Sequence, residues 1–121
     1  MYNILVCDDE KDIVSALRIY LTAEGYRVYE AGNGREALEY LAKEDIHLVL
    51  MDIMMPVMDG LEASLAIRLS KRTDAKNIPI IAMTAQASKE CMQQCSDAGM
   101  NGHLTKPVAS QKLIETIIEF T

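Results

Sequence analysis

Five short apolar runs alternate with amphipathic stretches, and this alternation limits the folds that the sequence can form. The apolar runs cover residues 3–7, 27–31, 47–52, 79–83 and 102–105. The stretches with helical spacing of apolar residues cover residues 11–23, 34–43, 60–70, 88–98 and 109–120. Serial β-α units are typical of a parallel sheet with helices on both faces. We predict an α/β fold with a doubly wound five-stranded parallel sheet.

The spacing of apolar residues also predicts which helix faces point inward. In the first helix the predicted inward residues are Ile13, Ala16, Leu17, Tyr20 and Leu21. In the last helix they are Leu113, Ile114, Ile117 and Ile118. The polar stretch over residues 71–77 is predicted to be a surface loop.

Length and composition favour a single domain over residues 1–121, because half of the residues are hydrophobic and suffice for one core. No apolar stretch reaches the ~20 residues that a membrane-spanning helix requires. The start of the chain lacks a basic region and a cleavage site, so no export signal is predicted. We expect a cytoplasmic protein that does not associate with membranes.

The net charge of −6 is unevenly distributed along the chain. Residues 1–60 contain 12 acidic and 5 basic residues, whereas residues 61–121 contain 6 acidic and 7 basic residues. A nucleic-acid-binding surface needs a basic stripe that neutralises phosphates, and the sequence shows none. We therefore do not expect this domain to bind nucleic acid directly.

Charged and hydroxyl side chains follow the apolar runs, at the points where the predicted strands end. Asp8-Asp9 follows the first run, Asp52 closes the third, Thr84 follows the fourth and Lys106 follows the fifth. In parallel sheets, ligands bind beyond the carboxyl ends of the strands. A buried carboxylate is costly without compensation, so the three acids predict a cation site with a reactive carboxylate. Glu10 and Asp12 are assigned to solvation and to capping of the first helix.

The ordered set of motifs resembles the receiver domain of two-component response regulators over essentially the whole chain. The motifs are Asp8-Asp9, Asp52, Met55-Pro56…Asp59-Gly60, Thr84, Ala98-Gly99-Met100 and Lys106-Pro107. The resemblance implies a flavodoxin-like fold with strand order 2-1-3-4-5. It also implies a signalling switch that is not a conventional enzyme and that catalyses its own phosphorylation and dephosphorylation.

The resemblance assigns roles to the acidic residues. Asp52 is implied to be the phosphoacceptor, which attacks the phosphorus of a phosphohistidine and forms an acyl phosphate. Mg²⁺, a hard cation that prefers oxygen ligands, is the implied cofactor. Asp9, Asp52 and the main-chain carbonyl of Met54 are the implied direct ligands, and Asp8 is implied to act through a water.

The resemblance also assigns the remaining site residues. Lys106 supplies a positive charge near the phosphoryl oxygens, and Thr84 supplies a hydroxyl donor that shifts on phosphorylation. Family members have a cis bond before the proline that corresponds to Pro107. The aromatic switch position, three residues before the lysine, is occupied here by His103 instead of tyrosine or phenylalanine.

Two further positions tune dephosphorylation in the family, and they correspond to Met54 and Gln86. The implied partner is a sensor histidine kinase or a histidine phosphotransfer protein, together with an effector domain or output partner. The resemblance places partner specificity on the first helix and on the loop after the fifth strand. The candidate residues are Ser15, Arg18, Ile19, Thr22 and Val108 to Ser110.

Two other functional classes use similar scaffolds. An aspartate-dependent phosphatase usually carries a second acid two residues after the nucleophile, where this chain has Met54. A flavodoxin-like redox protein needs a phosphate-binding loop after the first strand, where Asp8-Asp9-Glu10 would repel a flavin phosphate. Labelling with a small phosphoryl donor separates these alternatives from a receiver.

The sequence does not distinguish between three biological contexts for such a receiver. The chain is compatible with a stand-alone regulator, with the receiver of a transcription factor and with the receiver of a hybrid kinase. The fourth and fifth helices carry few charges and no arginine, which disfavours the charge-paired dimer of transcription-factor receivers. Cys7, Cys91 and Cys95 are expected to be free thiols, because the odd count argues against a disulfide framework.

Overall fold

The structure is a computed structural model that describes residues 2–86 and 88–120, and in this part strands and helices alternate strictly. In chain order the elements are β1 (Asn3–Cys7), α1 (Lys11–Ala23), β2 (Arg27–Ala31), α2 (Gly34–Lys43), β3 (Leu48–Asp52), α3 (Gly60–Arg68), β4 (Ile80–Thr84), α4 (Lys89–Asp97), β5 (Gly102–Thr105) and α5 (Ser110–Phe120). Within the described residues, no helix combines the length and the apolar character needed to cross a bilayer.

The five strands form one parallel sheet in the order β2-β1-β3-β4-β5, which confirms the predicted fold class and strand order. The change in winding direction lies between β1 and β3. Cys7 pairs with Met51 in the register of these two strands. The residues that follow, Asp8 and Asp52, therefore emerge side by side at the edge where ligands of such sheets bind.

Both faces of the sheet are covered by helices, because the central strands are apolar on both sides. Alternate residues of β1 belong to two separate clusters of buried side chains: Leu5 lies in one cluster and Ile4 in the other. Helices α2, α3 and α4 contribute to the cluster of Leu5, whereas α1 and α5 contribute to the cluster of Ile4. This three-layer packing holds the carboxyl ends of the strands, where the predicted site residues lie, in fixed positions.

The element boundaries agree with the predicted ones to within two residues. The fourth strand runs from Ile80 to Thr84 rather than over residues 79–83, so the predicted strand-end hydroxyl is the last residue of the strand. Helix α3 ends at Arg68, two residues before the predicted end. Helix α1 begins after Glu10, so Asp12 lies in its first turn and the predicted capping role of Asp12 is wrong.

The predicted inward faces of α1 and α5 are too wide. Tyr20 and Ile118 are 37% and 61% exposed, whereas Val14 and Thr116 are buried. The two helices lie side by side on one face of the sheet, so each of them buries only a narrow stripe. Burial of Thr116 is tolerated because its hydroxyl donates to the carbonyl of Lys112 at 2.8 Å.

The polar stretch over residues 71–77 is a loop at the surface, as predicted, but two arginines bind its backbone and that of its surroundings. The Arg68 guanidinium donates to the carbonyls of Ala75 at 3.0 Å and Ile78 at 2.8 Å. Arg72 donates to the carbonyl of Leu41 at 2.8 Å, near the end of α2. Carbonyls that secondary structure leaves unpaired are thereby satisfied.

Candidate functional site

The three predicted acids meet at the carboxyl edge of the sheet. Asp8 and Asp52 are each only 3% exposed, and Asp9 is exposed at the rim. One carboxylate oxygen from each residue lies within 4.8 Å of the others. The predicted acidic cluster is therefore present, with two members that are shielded from water.

Lys106 enters the acidic cluster from the loop after β5, a strand that is separated from β3 by β4. Its Nζ atom lies 2.9 Å from Asp8 Oδ2, 3.2 Å from Asp52 Oδ1 and 3.7 Å from Glu10 Oε1. Pairing of β5 with β4 positions the lysine, because the Lys106 amide donates to the carbonyl of Thr84 at 2.8 Å. The Lys106–Pro107 peptide bond is cis, as the resemblance implies.

The environment of Asp52 disfavours its ionised form. Burial and then the charge of Asp8 raise the pKa of Asp52 to about 6, against the opposing effects of Lys106 and of the Met54 amide. The Met54 N–H donates to Asp52 Oδ1 at 3.4 Å. At neutral pH the Asp52 carboxylate is thus mostly ionised, although its surroundings destabilise the charge. A bound cation or an electrophile that bonds to the carboxylate would reduce this destabilisation.

The pKa of Lys106 is shifted in the direction that keeps the ammonium charged. Burial lowers this pKa, but the hydrogen bond to Asp8 and the charges of Asp52 and Asp8 outweigh it and raise the pKa overall. Lys106 is therefore a permanent cation between two buried carboxylates. Its charge is available to any further anionic group that approaches the cluster.

Thr84 and His103 occupy different surroundings from the acids. Thr84 is buried, and its hydroxyl donates to the Gln86 carbonyl at 2.8 Å and accepts from the Gln86 amide at 3.1 Å. His103 pairs with Ala82 in the sheet register, and its side chain is exposed. The hydroxyl is thus held within its own loop, and the imidazole faces solvent on the same pair of strands.

The loop after Asp52 folds back onto the strand end and requires Gly60. A Cβ atom at this position would lie 2.2 Å from the Asp52 carbonyl oxygen and 2.9 Å from Ile53 Cα. Asp59 caps α3 directly before the glycine, in a reciprocal capping box with Glu62. The sequence shows the Asp-Gly pair, but only the structure shows that the glycine lies against the backbone of Asp52.

Replacement of Gly60 by alanine is expected to destabilise the protein by about 3 kcal/mol, because the new methyl group overlaps main-chain atoms that cannot move independently. Urea unfolding monitored by circular dichroism measures the change. Gly32→Ala is the matched control, since its Cβ would meet only the Glu36 carboxylate at 3.8 Å. An equal loss in both variants would show that the close approach at Gly60 is unimportant.

Glu10 is closer to the site than its predicted role in solvation suggests. Its amide donates to Asp8 Oδ1 at 3.0 Å, and its carboxylate is the most distant of the three that surround Lys106. Sequence spacing could have indicated this contact, because Glu10 follows Asp8 by two residues. The hydrogen bond from the amide fixes the Asp8 carboxylate at the end of β1.

The donor set fits a hard divalent cation. Asp8, Asp9 and Asp52 offer only carboxylate oxygens, and their close approach leaves an excess of negative charge that Lys106 alone does not cancel. Exposure of Asp9 leaves this side of the cluster open to water, which suits an ion that keeps part of its hydration shell.

Comparison with known proteins identifies the class to which this fold and site belong. The family model of the response regulator receiver domain matches residues 4–118. The chain therefore belongs to the response regulator receiver domains, as the motifs predict.

Relatives of this chain include sensor kinases and regulators. It is 40% identical over 115 residues to the CAI-1 autoinducer sensor kinase/phosphatase CqsS of Vibrio cholerae. It is 36% identical over 115 residues to response regulator RR06 of Streptococcus pneumoniae. These matches cover 95% of this chain in both cases, but only 17% of the sensor kinase and 51% of the regulator.

Solved structures share the fold over the whole chain. The chemotaxis protein CheY4 of Vibrio cholerae superposes with a TM-score of 0.94 at 32% identity, covering 100% of this chain and 99% of that protein. The receiver domain of a sensor histidine kinase from Pseudomonas aeruginosa superposes with a TM-score of 0.90 at 30% identity, covering 98% and 96% of the two chains. That structure contains a magnesium ion in its active-site cleft.

Proposed function

We propose that the chain is a phosphorylation-controlled signalling switch in which Asp52 accepts a phosphoryl group. The donor is a phosphohistidine on a sensor histidine kinase or on a histidine phosphotransfer protein. The observation that carries this proposal is the buried Asp52 carboxylate, whose Oδ1 lies 3.2 Å from a lysine ammonium within a cluster of three acids.

The chemistry that we assign to Asp52 is nucleophilic attack on phosphorus. A carboxylate oxygen of Asp52 forms the new O–P bond, the N–P bond of the phosphohistidine breaks, and the imidazole leaves with its electron pair. The phosphoryl group carries its charge on three oxygens during transfer, so catalysis consists mainly of positioning and of charge stabilisation. Lys106 supplies this stabilisation from within the cluster, since its pKa is raised.

We propose Mg²⁺ as the cofactor, held by Asp9, Asp52 and the Met54 carbonyl, with Asp8 acting through a water. When it is bound, the ion supplies positive charge that offsets both the carboxylates and the phosphoryl oxygens. The carboxylate cluster supports this assignment, as does the magnesium ion in the cleft of the related Pseudomonas receiver.

The switch that we propose couples Thr84 to His103 across the paired strands β4 and β5. The Thr84 hydroxyl, now bound to Gln86, turns to the phosphoryl oxygens, and His103 leaves its exposed position to occupy the released space. Pro107 follows Lys106 in the loop that presents the lysine. Met54 and Gln86 border the acceptor and the threonine, where they are placed to control water and hence the lifetime of the acyl phosphate.

The partner surface that we propose lies beside the site. A cleft of about 520 Å³ runs between α1 and the loop after β5, with Lys106 and Glu10 at one end and Ile13, Tyr20 and Val108 along it. A helical partner lying in this cleft would bring its phosphohistidine to the acceptor. We place the domain in the cytoplasm, where such donors act, and assign its output to an effector domain or a separate partner.

Labelling with radioactive acetyl phosphate tests the proposed function. We expect one phosphoryl group per chain, which is lost with hydroxylamine, as acyl phosphates are, and whose uptake stops when EDTA removes Mg²⁺. Continuous release of inorganic phosphate from a phosphomonoester such as p-nitrophenyl phosphate would instead identify a phosphatase. Absence of any hydroxylamine-sensitive label would contradict the proposal.

A further inference from the structure

Helix α4 carries two thiols on the side that packs against the sheet, and neither has a role in the proposed phosphoryl transfer. Cys95 is 4% exposed, and Cys91 is half-buried against the same cluster of apolar side chains. Residues four apart on a helix lie one above the other, with Cβ atoms about 5–6 Å apart. The two thiols are therefore neighbours within one helix turn.

The outer thiol contacts the proposed switch residue. Cys91 Sγ lies 3.7 Å from Thr84 Oγ1, the hydroxyl that is also bound to Gln86. The Cys91 amide takes part in the N-terminal cap of α4, since it donates to Ser88 Oγ at 3.1 Å. A displacement of Cys91 therefore acts both on the first turn of α4 and on the surroundings of Thr84.

We propose that Cys91 and Cys95 form an oxidisable dithiol, and that their disulfide displaces the first turn of α4 and alters the position of Thr84. Hydroperoxides are the class of reagent that this site takes. The effect on phosphoryl transfer rests on the proposed function, whereas the covalent step does not.

The covalent step balances with one hydroperoxide for each dithiol. The Cys91 sulfur attacks the terminal peroxide oxygen, so that an S–O bond forms, the O–O bond breaks and an alcohol leaves. The Cys95 sulfur then attacks the Cys91 sulfur, so that the S–S bond forms, the S–O bond breaks and water leaves. The two thiols lose two electrons and two protons, which reduce the hydroperoxide to alcohol and water.

The structure indicates which sulfur reacts first. Water reaches Cys91, whereas burial, followed by the influence of the neighbouring Cys91 thiol, raises the pKa of Cys95 to about 11. Cys95 is therefore the less reactive thiol toward the peroxide and acts second, as the resolving thiol, which loses its proton to the departing water when it attacks the Cys91 sulfur. Cys7, the third thiol, is fully buried in β1.

A disulfide between these residues is incompatible with a regular helix. The bond needs Cβ atoms about 3.5–4.5 Å apart, against the ~5–6 Å of two residues on successive helix turns. Closing this gap draws Cys91 toward Cys95 and away from Thr84, at the end of α4 where few hydrogen bonds hold the backbone. Misplacement of an aligned group by ~1 Å can reduce a rate up to about a hundredfold.

The test treats the full chain with hydrogen peroxide and maps the products by mass spectrometry. We expect a reversible loss of two hydrogen atoms, a cross-linked peptide that contains Cys91 and Cys95, and shifts of the Thr84 and Gln86 amide signals in NMR spectra. The initial rate of labelling by acetyl phosphate is expected to fall at least about threefold and to recover with dithiothreitol.

The control variant is Cys95→Ala, which keeps Cys91 but cannot form the disulfide. We expect no cross-link in this variant and a labelling rate that peroxide lowers by less than in the parent chain. An equal fall in both proteins, an irreversible sulfinic acid as the main product, or a disulfide that leaves the Thr84 signal in place would overturn the proposal. If the reduced parent takes up no label, the proposed function fails instead, and the cross-link and the Thr84 signal alone decide the dithiol proposal.

Discussion

Replacement of Asp52 by asparagine is expected to abolish phosphoryl uptake and, at the same time, to stabilise the metal-free protein. The amide cannot act as the nucleophile, so labelling by acetyl phosphate should fall roughly a hundredfold or more. The fold, by contrast, loses a buried charge that lies beside Asp8. The two effects have opposite signs because the buried negative charge of Asp52 is needed for its reactivity but lowers the stability of the fold.

The gain in stability has a defined pH window. The pKa of Asp52 in the folded protein, about 6, lies above the ~3.9 of an unperturbed aspartate. The folded protein therefore binds this proton more tightly than the unfolded chain between about pH 4 and pH 6. Protonation of Asp52 stabilises the parent protein below about pH 4, and this contribution is lost as the pH rises through about 6. The gain from asparagine therefore appears as the pH rises through this window. The difference between these two pKa values corresponds to ~3 kcal/mol.

Asparagine also weakens the contact with Lys106, so we expect a net gain of about 1–2 kcal/mol at pH 7.5 and none near pH 4. Urea unfolding in EDTA at both pH values measures this difference. Glu39→Gln removes an exposed acid elsewhere and serves as the control. A variant that is less stable than the parent at pH 7.5, or one that still takes up hydroxylamine-sensitive label at the parent rate, would contradict these expectations.

The site could be predicted from the sequence because strand ends are simple to recognise. A charged residue that terminates an apolar run such as Leu48-Val49-Leu50-Met51 is costly to bury, and this cost points to a site at the sheet edge. The parallel pairing of β1 and β3 then places Asp8 and Asp52 side by side, independently of the loop conformations. The family resemblance added the roles of Thr84 and Lys106, which taken singly would be an ordinary strand-end hydroxyl and a surface lysine.

Features that depend on tertiary contacts could not be predicted in this way. Arg68 and Arg72 bind carbonyls that are remote in sequence, and no local pattern marks these arginines as their donors. The exposure of Tyr20 and Ile118 depends on how α1 and α5 share one face of the sheet. The close approach of Gly60 to the backbone of Asp52 likewise depends on how the loop after β3 folds back.

Replacement of Lys106 by methionine is expected to reduce both phosphoryl uptake and stability, in contrast to the asparagine variant at position 52. The methionine keeps most of the side-chain volume but leaves Asp8 and Asp52 without the ammonium that lies 2.9 Å and 3.2 Å from them. Removal of one partner of a buried ion pair typically costs about 3–5 kcal/mol. Protonation of one carboxylate limits the cost, so we expect a loss of about 3 kcal/mol at pH 7.5 in EDTA.

Three measurements distinguish loss of charge from a general packing defect in this variant. The deficit in urea unfolding should shrink toward pH 5, where Asp52 takes up a proton, and should shrink again when excess Mg²⁺ replaces EDTA. Labelling by acetyl phosphate should fall roughly a hundredfold, as expected when a preorganised positive charge is removed from the transition state. Lys112→Met, at an exposed lysine on α5, should change neither quantity. A deficit that stays constant with pH and Mg²⁺ would mean that Lys106 acts through packing, and the electrostatic account of the site would then fail.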